Sequence, residues 1–188
     1  MKCAVLGAGL LCGVAAFAGP ARAQLTNPPP SRPLSAYGAF ELRPAELDAA
    51  EAREKGKAQV AGQVQQQLDA LVAPIVAGWN QKPPLEGAPR LVISPRIDII
   101  KKVSGTARVW SGAWAGDSYI TMHVRFVEQP GDTVVAEPRF HQRASAVSGA
   151  WTFGGQDKDM LRRIAQLIAD YLQANYDAAV GGPTGEPK

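Results

Sequence analysis

The sequence predicts a two-layer α+β domain, in which a mainly antiparallel sheet carries two helices on one face in the order β-α-β-β-β-α. Three features of the 188-residue chain predict it. Met160, Leu161, Ile164, Leu167, Ile168, Tyr171 and Leu172 recur at spacings of three and four, the buried stripe of an amphipathic helix. Ile120, Met122, Val124 and Phe126 fall on one face of a strand, and Val134, Ala136 and Phe140 on the matching face of the next. Pro130-Gly131-Asp132 between them is turn chemistry, which makes the pair an antiparallel hairpin.

The elements follow in order. Tyr37 to Leu42 is a short strand. Pro44 suits the first position of a helix, and the chain reads helical from Ala45 to about Asn80. Its stripe is Val60, Val64, Leu68, Leu71, Val72, Ile75 and Trp79, with Pro74 kinking or restarting the helix. Residues 81–89 contain three prolines and form a loop. In the next strand, Leu91, Ile93, Ile97 and Ile99 alternate with Ser94, Arg96 and Asp98. Pro138 puts the last strand at an edge or a bulge. After Gly154-Gly155, Asp157 caps the final helix, which runs to Tyr176.

Both ends read differently. Residues 1–23 combine Met1-Lys2, an apolar run from Cys3 to Gly19, the breaker Pro20 and the small-residue pair in Ala21-Arg22-Ala23. That is the layout of a cleaved secretory signal, with the cut expected between Ala23 and Gln24 and a periplasmic or secreted product. No other segment approaches the length of a transmembrane span. Residues 24–35 contain four prolines and read as an extended linker; residues 178–188 read as a flexible tail. One domain over residues 36–177 remains.

Charge narrows the partners. The whole chain carries +3, but loss of Lys2 and Arg22 with the signal leaves 18 basic against 17 acidic residues. A nearly balanced domain gives no global reason to bind nucleic acid. The positive bias is local, eight basic against five acidic residues between Arg90 and Arg143. Both cysteines lie in the signal, so the mature chain offers neither a disulfide nor a thiol nucleophile.

The hairpin gathers the polar candidates. Tyr119, Thr121, His123 and Arg125 share the outward face with Glu137, Arg139, His141 and Arg143. A register in which paired positions sum to 262 sets Arg125 opposite Glu137 and His123 opposite Arg139, a favourable cross-strand charge arrangement. This is either a cationic face for an anionic or sugar ligand or the solvated face of a one-sided sheet. His123, His141 and Glu137 are the residues to try as metal ligands, but Arg125, Arg139 and Arg143 would repel a divalent cation, so no metal is expected. The tetrapeptide Ser-Gly-Ala-Trp occurs at 111–114 and 148–151, with Trp110 beside the first copy. Trp110, Trp114 and Trp151 either stack on a ligand or plug the ends of the core. There is no G-x-S-x-G, H-E-x-x-H or S-x-x-K signature and no phosphate loop, and no cofactor is expected. Nothing in the spacing selects a triad from Ser118, Asp98 and either histidine.

From Arg108 the chain reads Arg-Val-Trp-Ser-Gly-Ala-Trp-Ala-Gly-Asp-Ser, then an alternating strand, a Pro-Gly-Asp turn and Glu137-Pro-Arg-Phe140. The loop between Gly149 and Gly155 and a helix ending Asp170-Tyr-Leu172 follow. In these glycine spacings the chain resembles the bacterial envelope family called domain of unknown function 4410. The resemblance implies a small secreted protein or lipoprotein without an assigned activity, and it brings no catalytic residue. Where lipidated members have a cysteine at the cleavage site, this chain has Gln24.

The expectation is therefore an exported, non-enzymatic binding or accessory protein of the cell envelope, with an envelope protein or glycan as partner. The alternatives are a hydrolase of envelope polymers with an unconventional site and a self-assembling subunit that pairs through its strand edges.

Overall fold

The computed structural model describes residues 24–83, 85–101, 118–144 and 155–187. The secretory signal read over residues 1–23 lies outside the described residues, as do Trp110, Trp114 and Trp151. The architecture is the expected mixed α+β one. Strands β1 (Gln24–Asn27), β2 (Ala39–Leu42) and β3 (Glu46–Leu47) precede helices α1 (Ala49–Ala52), α2 (Lys57–Leu71) and α3 (Ala73–Asn80). Strands β4 (Arg90–Lys101), β5 (Tyr119–Gln129), β6 (Thr133–Ala136) and β7 (Arg139–Arg143) lead to helix α4 (Gly155–Ala174) and a last strand, β8 (Gly182–Pro187).

The main sheet is four ribbons wide. β4 and β5 form its antiparallel centre, β2 and β3 share one flank of β4, and β6 and β7 share the far flank of β5. β2 and β3 run parallel to β4, and every other pairing is antiparallel. Apolar residues of all four ribbons and of α2, α3 and α4 join one core, in which Phe126, Phe140, Tyr171, Ile164 and Leu68 are fully buried. Trp79 fills the end of that core, its ring 4.9 Å from Phe40 and stacked 4.5 Å from Tyr176.

Local chemistry explains where elements begin. Asp48 accepts a hydrogen bond from the Ala50 N–H at 2.8 Å and so caps α1. The helix expected from Ala45 onward therefore starts four residues late, because Glu46–Leu47 is drawn into parallel pairing with Arg96 and Ile97. Pro74 restarts the helix at the first turn of α3, where its missing N–H is harmless. Asp157 falls inside α4 rather than ahead of it.

Two bulges change which side chains face inward. A register shift between Ile97 and Ile99 turns Ile99 outward, 42% exposed, and sends Ile100 into the core. A second, between Phe126 and Val127, leaves Val134 41% exposed and buries Val135 instead. Ile99 and Val134 are thus corrected from core to surface. In each case one extra residue in a strand reverses the alternation beyond it.

The chain ends are the largest departure. Residues 24–35 are not a free linker and, of the tail expected over residues 178–188, Gly182–Pro187 is a strand, because β1 and β8 pair with each other. The resulting ribbon packs against the β7 edge and α4. Leu34 is fully buried, the Tyr171 hydroxyl donates to the Pro28 carbonyl at 2.9 Å, and Arg32 forms an ion pair with Glu128. Asn175 ties the parts together. Its amide donates to the carbonyls of Tyr171 and Gly181 and accepts from the N–H groups of Val180 and Gly181. Gly181 has φ of 79°, and a Cβ there would strike the Asn27 carbonyl, so only glycine fits this crossing.

Asn175→Ala takes the side-chain partner from the Gly181 carbonyl and the Val180 and Gly181 N–H groups, while the Tyr171 carbonyl keeps the Asn175 N–H. It should lower the unfolding free energy by about 3 kcal/mol. Urea denaturation followed by circular dichroism measures this; a loss well under 1 kcal/mol would contradict the role given to Asn175.

Candidate functional site

Because α2, α3 and α4 cover one face of the sheet, the other face is left for polar residues, and β4, β5 and β7 order them into rows. Lys101, Tyr119 and Arg143 form one row, Ile99, Thr121 and His141 the next, and Arg96, His123 and Arg139 the third. Ser94 and Arg125 begin a fourth. The expected register therefore holds from Tyr119 opposite Arg143 to His123 opposite Arg139. It continues past that pair, with the Val124 N–H donating to the Pro138 carbonyl at 3.0 Å and Phe126 opposite Ala136, and shifts only between Phe126 and Val127.

His123 sits at the centre of this face. One ring nitrogen, Nδ1, lies 2.7 Å from Asp98 Oδ1, and the other, Nε2, lies 3.7 Å from Glu137 Oε1. Of the groups tried as a triad, Asp98 and His123 do meet, whereas Ser118 is buried. The meeting depends on the β4 bulge, which carries Asp98 towards His123 while Arg96 keeps its place opposite it. The second carboxylate oxygen of Asp98 is buried and has no hydrogen-bond partner among the described residues. Glu137, expected opposite Arg125, leans to His123 instead.

The arginines divide into two sets. Arg96 is 2.5 Å from Asp48, Arg43 is 3.2 Å from Glu41, and Arg90 also reaches Glu41. The Arg96 hydrogen bond, with help from the Ala50 N–H, holds the Asp48 carboxyl below its usual range. Arg125 and Arg139 are exposed, and neither has an ion-pair partner among the described residues. No group of three or more His, Cys, Asp or Glu side chains suited to a metal ion occurs among the described residues.

His141 does not belong to the open face. It is only 7% exposed, because β8 crosses over it, and burial followed by the Arg143 charge pulls its pKa below the ordinary value. Tyr119 is half-buried, its ring centroid 5.4 Å from that of His141, with the Lys101 ammonium 5.6 Å from the Tyr119 centroid. The sheet thus brings Tyr119, His123, Arg125 and Arg139 together and withdraws His141. A shallow groove of about 670 Å³ lies apart from them, between Asn27-Pro28-Pro29 and Val180, Gly182 and Pro183.

Fold and site together define a mixed α+β protein whose sheet carries Tyr119, His123, Arg125 and Arg139 on the face away from α2, α3 and α4. It is similar to a PelC dodecamer variant from Paraburkholderia phytofirmans, with a TM-score of 0.46 and 11% identity over 84% of this chain and 100% of that one. It is similar also to a Xanthomonas campestris protein of the DUF330 family (TM-score 0.42, 11% identity, 80% of this chain and 90% of that one). A lipoprotein candidate from Caulobacter crescentus gives a TM-score of 0.37 and 15% identity over 76% of this chain and 89% of that one. At these values the likenesses transfer no function. No family model matches the chain, and no curated protein does, so membership of family 4410 stays a resemblance. No helix among the described residues is long and apolar enough to cross a membrane.

His123→Ala strands the Asp98 carboxylate with both oxygens unpartnered and should cost about 1–2 kcal/mol of stability. Adding Asp98→Ala should recover part of that loss, which a double-mutant cycle by chemical denaturation reads directly. Strict additivity would show that the two residues are not coupled.

Proposed function

We propose that this chain is an exported, non-enzymatic binding or accessory protein of the bacterial cell envelope, which takes an anionic ligand on the outward face of its sheet. The observation that carries the ligand class is the pair Arg125 and Arg139. They are diagonal neighbours across β5 and β7, a relation that sets side chains about 7–8 Å apart. Like charges so placed repel, whereas Arg90 and Arg96 of the same sheet are each matched to a carboxylate. An anionic group between two guanidinium forks relieves that repulsion and gains charge-assisted hydrogen bonds. His123 lies beside both and Tyr119 beyond it on the same face, which adds an aromatic surface for a sugar ring. Export rests on the amino-terminal layout of basic start, apolar run and small-residue cut.

A second reading has its own observation. Asp98 bound to His123 Nδ1 is the arrangement that orients an imidazole as a general base, with Nε2 turned to the outward face. This favours a hydrolase of anionic envelope polymers that uses water as its nucleophile. Release of reducing ends from an envelope polysaccharide, abolished by His123→Ala with folding retained, would establish it.

For the binding reading, the full chain should be retained on immobilised alginate and not on neutral dextran, with retention falling as salt rises. Arg125→Ala with Arg139→Ala should weaken retention at least about tenfold. Unchanged retention by the double variant would refute the assignment to this face.

A further inference from the structure

His141 is a buried titratable group that the ligand face does not use. The Arg143 Nε–H donates to His141 Nε2 at 3.2 Å. Arginine can only donate, so Nε2 holds a lone pair and the ring proton sits on Nδ1, which donates to Thr121 Oγ1 at 3.0 Å. The neutral ring is thus fully matched. A second proton has no acceptor, because at Nε2 it would point at the donor Arg143.

β8 lies directly on this residue. Gly185 has φ of 83°, and a Cβ there would strike the His141 carbonyl and come within 2.6 Å of Gln142 Nε2 and Leu167 Cδ1. In β8 the neighbouring Glu186 places Oε1 3.8 Å from His141 Nδ1. From the other elements, Tyr119 and Thr121 of β5 face the ring, Lys101 of β4 stands behind Tyr119, and Arg163 of α4 donates to the Arg143 carbonyl. β1 pairs with β8, and its Asn27 side chain donates to the Arg139 carbonyl and accepts from the Arg139 N–H.

We propose that the β1–β8 ribbon is a proton-sensitive strap, seated on neutral His141 and released from the β7 edge when His141 takes up a proton. Protonation sets a cation against Arg143 beneath a strand with no room to shift, and lifting the ribbon lets both cations reach water. Glu186 attracts the protonated ring more than Arg143 repels it, so the cost of protonation is chiefly that of burying the charge, which lifting the ribbon relieves; the Nδ1 proton nearest to Glu186 is already held by Thr121. Burial and Arg143 keep the folded-state pKa of His141 below its ordinary value of about 6.5. A group depressed in this way contributes stability that is complete above about 6.5 and is lost as pH falls through its folded value. Release exposes the β7 backbone at Arg139, next to the face that carries Arg125.

Amide hydrogen exchange on the full chain, corrected for intrinsic rates, tests this at pH values from 8 to 4.5. Opening of residues 24–27 and 182–187 should rise by up to about tenfold per pH unit below about 6.5 and then level off, while β4, β5 and α4 stay protected. His141→Gln should make the ribbon insensitive to pH over that range. Glu186→Gln removes the offsetting charge, lowers the folded-state pKa of His141 further and should carry the rise in opening on to a lower pH before it levels off; this variant leaves the strap seated at neutral pH, so the test stands even if His141→Gln folds poorly. An NMR titration of the His141 ring must show its pKa below about 6.5. Ribbon protection that does not change with pH, or changes equally in His141→Gln, would overturn the proposal.

Discussion

The fold hangs on one buried amide. Asn175 stands one residue beyond α4, fully enclosed, with both amide protons and the oxygen engaged by the backbone of two separate segments. Its own carbonyl accepts from the Leu34 N–H at 2.9 Å, and the neighbouring Tyr176 carbonyl accepts from Ser35. A single side chain therefore fixes the turn that launches β8, while its backbone holds the amino-terminal segment against the end of α4. A buried polar network of this kind is stabilising only when complete, since each unmatched group costs more than a matched one contributes. The arrangement of both chain ends follows from that completeness.

Two other asparagines do related work at the sheet margins. Asn80 donates to the Phe40 carbonyl and accepts from the Phe40 N–H at one edge. Asn27 does the same for Arg139 at the other. Each side-chain amide copies the hydrogen bonds that a further strand would make, so those backbone positions are closed to pairing with another chain. Growth of the sheet by edge addition must first displace an asparagine. On the outward face, strands rather than loops set the spacing of His123, Arg125 and Arg139.

Much of this was legible in the amino-acid order, and the failures share a cause. The α4 stripe and the β5–β7 register come from local periodicity, and both hold in the structure. Ile99 and Val134 were misplaced because a bulge adds one residue to a strand without any marker in the alternation. The proline-rich ends looked unpackable because their partners lie at the far end of the chain, beyond the reach of a pattern that compares neighbours. The site behaves likewise. His123 with Arg139 follows from hairpin parity, but Asp98 reaches His123 only through a bulge, and His141 is removed from solvent by a strand some forty residues later. Asn175, Asn80 and Asn27 carry no local signal, since an asparagine reads as a turn or surface residue until its two backbone partners are known.

The pairing of Gln24 with Pro187 has a consequence for how the molecule comes into being. The first described strand finds its partner only in the last described one, so a chain delivered from its amino-terminal end holds β1 unpaired until β8 has followed it. Closing so long a loop has a high entropic cost, and sheet pairings between distant segments form late. The α4 helix and the central strands can therefore assemble first, and β1 and β8 meet late in folding.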